Sequence, residues 1–488
     1  MNVKKLRQPN KGITLIALVV TIVILLILAG ITINLVFSDN GIIKKAQEAA
    51  NKTQEAVENE QAQINDLTSE LMEILGENSR ATDIYVFLYD DGTLTFGTQN
   101  ESIEGKTVVK EYGNIKGQEY SSWIGEDDIW TSDTPWFNEI NSITKVSVLD
   151  EIVPVSMAHW FYNCQNLIEI ENIDKIDTSE VKSMKGLFNS CSNLKSLDLS
   201  SFNTSKVEDM EEMFNFCTNL NSLNLSSFNT SNVENMQSMF QSCSSLKSLD
   251  LSNFDIRNVK YTMAMFRSCI NMTEILGLEK FDTSKIEDMQ SMFQSCSSLT
   301  SLNLSDFNTR NVKNMMAMFS NCSNLKEILG LENINTSNVK NMRSMFQGCS
   351  NLMSLNLSGF DTSKVENMEA MFDGCEKLSS LNISSLETNN VKTMNSMFGR
   401  LTLSEIIGLE EFDTSNVENM HAMFYSCNQL TGLDLSSFDT SKVKDMEAMF
   451  AYCTNLNTIY VGDNWDLTNV ENTNNMFDYC GTNTTTSK

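Results

Sequence analysis

The stretch NVENMQSMFQSCSSLKSLDLSNF, residues 232–254, carries two hydrophobic periods in one run. Val233, Met236, Met239 with Phe240, and Cys243 fall at steps of three and four, the spacing of one face of a helix. Leu246 is followed by Leu249 and Leu251 in alternation, the spacing of a short strand. The same unit returns along the chain. Its cysteines stand at 164, 191, 217, 243, 269, 296, 322, 349, 375, 427, 453 and 480, a step of 26 or 27 with one member missing. A fixed period of this size means a solenoid. The reading is therefore an α/β repeat solenoid over 157–480, about 12 repeats, each a short strand plus a helix.

The link between the two periods carries a helix-start signal. Ser205/Glu208, Ser231/Glu234, Ser284/Glu287, Ser363/Glu366, Ser415/Glu418 and Thr468/Glu471 each have the Ser/Thr-x-x-Glu form of a capping box. Two residues before the serine, Asn203, Asn229, Asp282, Asp361 and Asp439 interchange, which suits a turn hydrogen bond better than a cation site that needs charge.

The cysteines share the inward face with valine, methionine and phenylalanine, so they read as core filling. Disulfides and thiol chemistry are the alternatives. Helices packed about 8–10 Å apart do not bring Cα atoms to the 4–7 Å or so that a disulfide needs. Around Phe398 the run MFGRLTLSEI has lost the cysteine, either to Leu401 or to a deletion, and neither change suits a metal ligand or a nucleophile. The paired methionines, such as Met236/Met239, read as core in the same way. No CxxC or Cys/His cluster, HExxH, GxSxG or P-loop occurs, so no metal, cofactor or enzymatic activity is expected. Of the two histidines, His159 reads as structural and His421 as an exposed helix residue in the slot held elsewhere by Gln237 and Glu369.

The strand period places a polar ladder beside the buried leucines: Ser196 and Asp198, Ser222 and Asn224, Ser248 and Asp250, Ser301 and Asn303, Ser354 and Asn356. With strands stacked at roughly 5 Å, twelve turns give a face about 55–60 Å long. It is the candidate binding face, suited to an extended partner held by many weak contacts. Three repeats interrupt it with ILGL or IIGL, and Gly277, Gly330 and Gly408 are expected to mark bulges.

The motif MF-x-x-C-x-x-L-x-x-L-x-L-S-x-F-D-T-S resembles the repeats of BspA-like leucine-rich repeat surface proteins, and DDGTLTF…ITKV…MAHWFYNC resembles the region that precedes them. The resemblance spans about residues 82–480. It implies a bacterial cell surface, adhesion and protein–protein contact, without catalysis. Host or bacterial surface proteins or glycans are the expected partners.

Ahead of the repeats, residues 77–156 read as a β-rich capping module. DIYVFLYDDGTLTFG, 83–97, is a hairpin signal, ITKVSVL is a further strand, and Trp123, Trp130, Trp136 and Trp160 cluster here. Residues 38–76 carry one apolar stripe of a long stalk helix, and 481–488 form a polar tail.

Residues 13–37 carry no charge and are long enough to cross a bilayer, while 1–12 are basic and stay cytoplasmic. The join KGITLI is similar to the leader of type IV pilins, which implies cleavage after Gly12, a methylated Ile13 and neighbouring pilin subunits. The family's glutamate, fifth in the mature chain, is here Ala17, which speaks against assembly as a major pilin. The expected location is the cell surface, anchored in the cytoplasmic membrane by the N-terminal helix or associated with a pilus. With 35 Lys+Arg against 63 Asp+Glu, nucleic acid is not an expected partner. A structural minor pilin or spacer without a specific ligand is the alternative function.

Overall fold

A computed structural model describes residues 81–115, 120–124 and 130–488. The leader 1–12 with Gly12 and Ile13, the apolar segment 13–37 and the stalk 38–76 lie outside the described residues. Among the described residues, no helix is long and apolar enough to cross a membrane.

The chain enters through a hairpin of β1 (Tyr85–Tyr89) and β2 (Thr93–Gly97), which pair antiparallel around Asp90-Asp91-Gly92. Gly92 sits at φ 80°, and Asp91 accepts the N–H of Thr93 at 3.0 Å, so the turn is built from both residues. β3 (Val108–Asn114) adds antiparallel to β1. β4 (Ser122–Ile124) and β5 (Trp130–Ser132) form a separate antiparallel pair. β6 (Lys145–Val148) pairs parallel with β2 and with β7 (Glu169–Glu171), so the sheet runs β3-β1-β2-β6-β7 and passes directly into the repeats. Trp136 and Trp160 are fully buried at this junction. Trp136 donates to the carbonyl oxygen of Trp160 at 2.6 Å, and Phe96 stacks on Trp160. From there a column of phenylalanines runs through the core, one ring per coil from Phe161 to Phe477.

The described residues form a β-solenoid of about thirteen coils. The expected helix in each repeat is absent among them: their helical pieces are 3-10 turns of three to six residues. The reason lies in the backbone of 233–243. Ser238 and Ser242 adopt φ 54° and 59°, in the left-handed region, and the corresponding residues do so coil after coil. Backbone donors then alternate. Met239, Gln241 and Cys243 bond three residues back within their own coil, while Ser238, Phe240 and Ser242 bond carbonyl oxygens of the next coil at 2.7–2.9 Å. A run of such turns presents its inward face every three or four residues, as a helix does. The hydrophobic pattern is therefore the same for both. Among the described residues, none in the left-handed slots is β-branched, and most are Ser, Ala, Asn or Gly.

The capping boxes are also corrected. Ser205 and Ser231 donate their N–H to Asn203 and Asn229 at 3.1 Å, which makes Asx turns of that earlier slot. The glutamates point along the solenoid: Glu234, Glu287 and Glu366 pair with Lys260, Lys313 and Lys392 of the next coil at 2.7 Å. These exposed pairs add little stability individually.

The strands of successive coils stack in parallel: β8 (Ser196–Asp198) on β9 (Ser222–Asn224), β10 (Ser248–Asp250) on β11 (Glu274–Leu276), and β12 (Ser301–Asn303) on β13 (Glu327–Leu329). β14 (Gly432–Leu435), β15 (Thr458–Val461) and β16 (Thr486–Ser487) form the last sheet.

Every cysteine is free, and all but the half-buried Cys480 are buried. From Cys191 to Cys453, each Sγ lies 2.9–3.1 Å from the carbonyl oxygen of the phenylalanine one coil back, as with Cys243 and Phe214. Leu401 takes the missing cysteine's place and is buried, and Leu403 fills the next core slot with one residue fewer between them. Burial pushes the thiols of Cys164, Cys217, Cys269 and Cys349 up to about 12.

Candidate binding face

Alternation along each strand turns the middle leucine inward and its two neighbours outward. All ten residues of the expected ladder are exposed: Ser196, Asp198, Ser222, Asn224, Ser248, Asp250, Ser301, Asn303, Ser354 and Asn356. The register places Ser196 beside Ser222 and Asp198 beside Asn224, and it continues the same two columns in later coils. Ser354 and Asn356 lie in a coil that forms no regular strand.

The acid and amide column also has a structural duty. Asp198, Asn224, Asp250, Asn303 and Asn356 each accept the backbone N–H two residues on, at 3.0–3.2 Å, and so hold the corner after the strand. Asp198 accepts from Asn224 of the next coil as well, at 2.8 Å. The Ser200 hydroxyl and N–H, with Asn224, hold the Asp198 carboxyl below its ordinary range, and Ser252 does the same for Asp250.

Of the described coils that depart from this scheme, three carry an aliphatic group in the column. Their column residue is Leu276, Leu329 or Ile407, none of which can accept a corner hydrogen bond. The next residue, Gly277, Gly330 or Gly408, turns the chain instead at φ 86°, 79° and 94° and leads into a 3-10 turn that takes up the remaining chain. A Cβ at Gly277 or Gly330 would meet the backbone of Ser252 or Ser305 within 2.4–2.7 Å, so only glycine fits. These glycines therefore make corners and not the expected bulges. Freed from corner duty, Leu276, Leu329 and Ile407 stand 42%, 49% and 44% exposed among polar neighbours. Glu274 and Glu327 replace serine in the adjoining column, paired in register with Ser248 and Ser301. Sequence reading noted the ILGL runs but missed these outward apolar groups. Strand alternation applied to Ile275-Leu276 would have found them.

His159 is buried, with Nδ1 2.8 Å from the carbonyl oxygen of Tyr120. Burial lowers its proton affinity, as suits a core histidine. His421 is half-exposed on a coil, and no helix carries it.

Among solved structures, the chain is similar to a leucine-rich repeat protein from Bacteroides ovatus at 18% identity, over 73% of this chain and 94% of that one, with a TM-score of 0.33. It is similar to a T. pallidum leucine-rich repeat protein at 17% identity, over 57% and 90%, with a TM-score of 0.25. A third, from Eubacterium ventriosum, shares 12% identity over 64% and 97%, with a TM-score of 0.22. No curated protein matches the chain. Overlapping matches to one family model cover residues 155–278, 244–331, 264–379, 326–406 and 400–487, which is most of the solenoid. The chain therefore belongs to the family described as "Mycoplasma protein of unknown function, DUF285".

Proposed function

We propose that this is a non-catalytic interaction protein of the bacterial cell surface, adhesin-like, whose strand face binds an extended protein or glycan. The carrying observation is the release of Leu276, Leu329 and Ile407 from corner duty. In each of these coils a glycine and a 3-10 turn make the corner, and the freed position holds an exposed apolar side chain. A spaced set of apolar groups within a polar, regularly stepped face gives a long partner several weak anchors. The segment 13–37 serves as the membrane anchor in this reading, with processing at Gly12 and Ile13. Association with pilin subunits follows from the same leader. Binding of the full chain to arrayed surface proteins and glycans tests the reading. Saturable binding that weakens at least about tenfold in the triple variant L276S/L329S/I407S supports it. Equal binding by wild type and triple variant overturns it.

The second reading, a minor pilin or spacer with no specific ligand, draws on a different observation. The Asp and Asn column elsewhere is spent on corner hydrogen bonds, which accounts for those residues without any ligand. In that case the array yields no saturable partner.

A further inference from the structure

We propose that His421, Asp445 and Glu447 form a binding site for a divalent transition-metal ion of the zinc class. The three residues lie on two adjacent coils, brought together by the parallel bridge between Asn419 and Asp445. Their ligand atoms all lie within 4.8 Å of one another. His421 Nδ1 is 3.8 Å from Asp445 Oδ2 and 4.0 Å from Glu447 Oε2. Around a tetrahedral zinc with bonds of about 2.0–2.1 Å, donor atoms stand about 3.3 Å apart. Rotations that move each side chain by less than about 1 Å close that gap.

The donors are held by the coil itself. Asp445 Oδ1 accepts the N–H of Glu447 at 2.9 Å, which leaves Oδ2 turned toward the imidazole. Asn472 donates to Glu447 Oε2 at 2.9 Å from the following coil, an outer-shell bond that orients the carboxylate and leaves it lone pairs for a metal. The N–H of His421 donates to Asn419 Oδ1 at 2.8 Å and fixes the backbone that carries the ring.

Comparison along the same column supplies the charge argument. One coil pairs Lys185 with Glu211 at 2.9 Å, and another pairs Arg343 with Glu369 at 3.1 Å. At the third such step the permanent cation is replaced by His421, which faces Asp445 and Glu447 as Lys185 faces Asp209 and Glu211. Among the described residues, neither Asp445 nor Glu447 forms an ion pair with a lysine or arginine. One imidazole and two carboxylates make a mixed nitrogen and oxygen donor set suited to zinc and its neighbours, with a fourth position open to water. A sequence search for metal motifs misses the set, because its members lie 24 and 26 residues from the histidine, adjacent only through the period.

Calorimetric titration of the full chain with Zn2+ tests the site, in a C480S background that removes the half-buried thiol. The expected result is saturable uptake of about one ion per chain, weakened at least about tenfold in H421Q and in E447Q. Glutamine occupies the His421 slot at Gln237 and Gln290, so the coil accepts it. A second measurement does not depend on variants. Pulsed EPR of the Cu2+-loaded wild-type chain should show modulation from one imidazole. No saturable uptake below about 1 mM Zn2+, equal uptake in H421Q, or a copper signal without imidazole nitrogen overturns the proposal.

Discussion

The hydroxyl of Thr204 donates to the carbonyl oxygen of Asn229 and accepts that residue's N–H, at 2.8 Å each way. Thr230 repeats the exchange with Asp255, and the buried threonines continue it along the solenoid. One step is missing. The chain reads Phe-Asp-Ile-Arg at 254–257, and the buried Ile256 sits where threonine would serve Asp282. The substitution I256T is therefore expected to stay within about 1 kcal/mol of wild type, because the new hydroxyl finds both partners. At the neighbouring core position, V233T has no such partner and should cost about 1–3 kcal/mol. Urea unfolding of the two variants checks the contrast.

The left-handed slots give a second prediction. Ser242 stands at φ 59°, where Gly348 and Gly374 stand in later coils. Replacement by glycine should be tolerated, whereas S242V should lose about 1–2 kcal/mol, because a β-branched side chain crowds this backbone. Thermal melting of the pair separates backbone conformation from loss of the serine hydroxyl.

How far the sequence carried the fold is clear from these residues. The period, the strand and the inward Val233, Met236, Phe240 and Cys243 were legible, because burial depends only on which side chains face in. The helix was a misreading, because Ser238 and Ser242 do not announce their left-handed backbone: serine is common in helices, turns and strands alike. The outward position of the ten ladder residues followed from strand alternation. The corner role of Asp198 and Asn224 did not follow, since it depends on the turn after the strand. The His421 cluster needed the coil register to appear at all.

Alkali should weaken the solenoid. Burial raises folded thiols such as Cys164 and Cys217 from an ordinary value of 9.0 to about 12. The unfolded chain then releases protons first, so the thiol contribution is intact below about pH 9 and is lost as the pH rises toward 12. Unfolding at pH 8 and pH 10.5 should show lower stability at the higher pH. Native thiols should react slowly at pH 8, with Cys480 first.

Corner duty and ligand contact can be separated on the strand face. D198N keeps an acceptor for Ser200 and should leave stability nearly unchanged, while D198A removes the corner bond and should cost about 0.5–1.5 kcal/mol. Chemical unfolding measures this without any ligand.

The face and the histidine cluster both exist only because each repeat is a β coil, stacked in register on the next. Far-UV circular dichroism of the chain tests that claim most directly. Stacked β coils give a β and turn spectrum over residues 81–488, to which the repeats add no helical bands. A signal large enough for a ten-residue helix in every repeat, about three turns each, would contradict it.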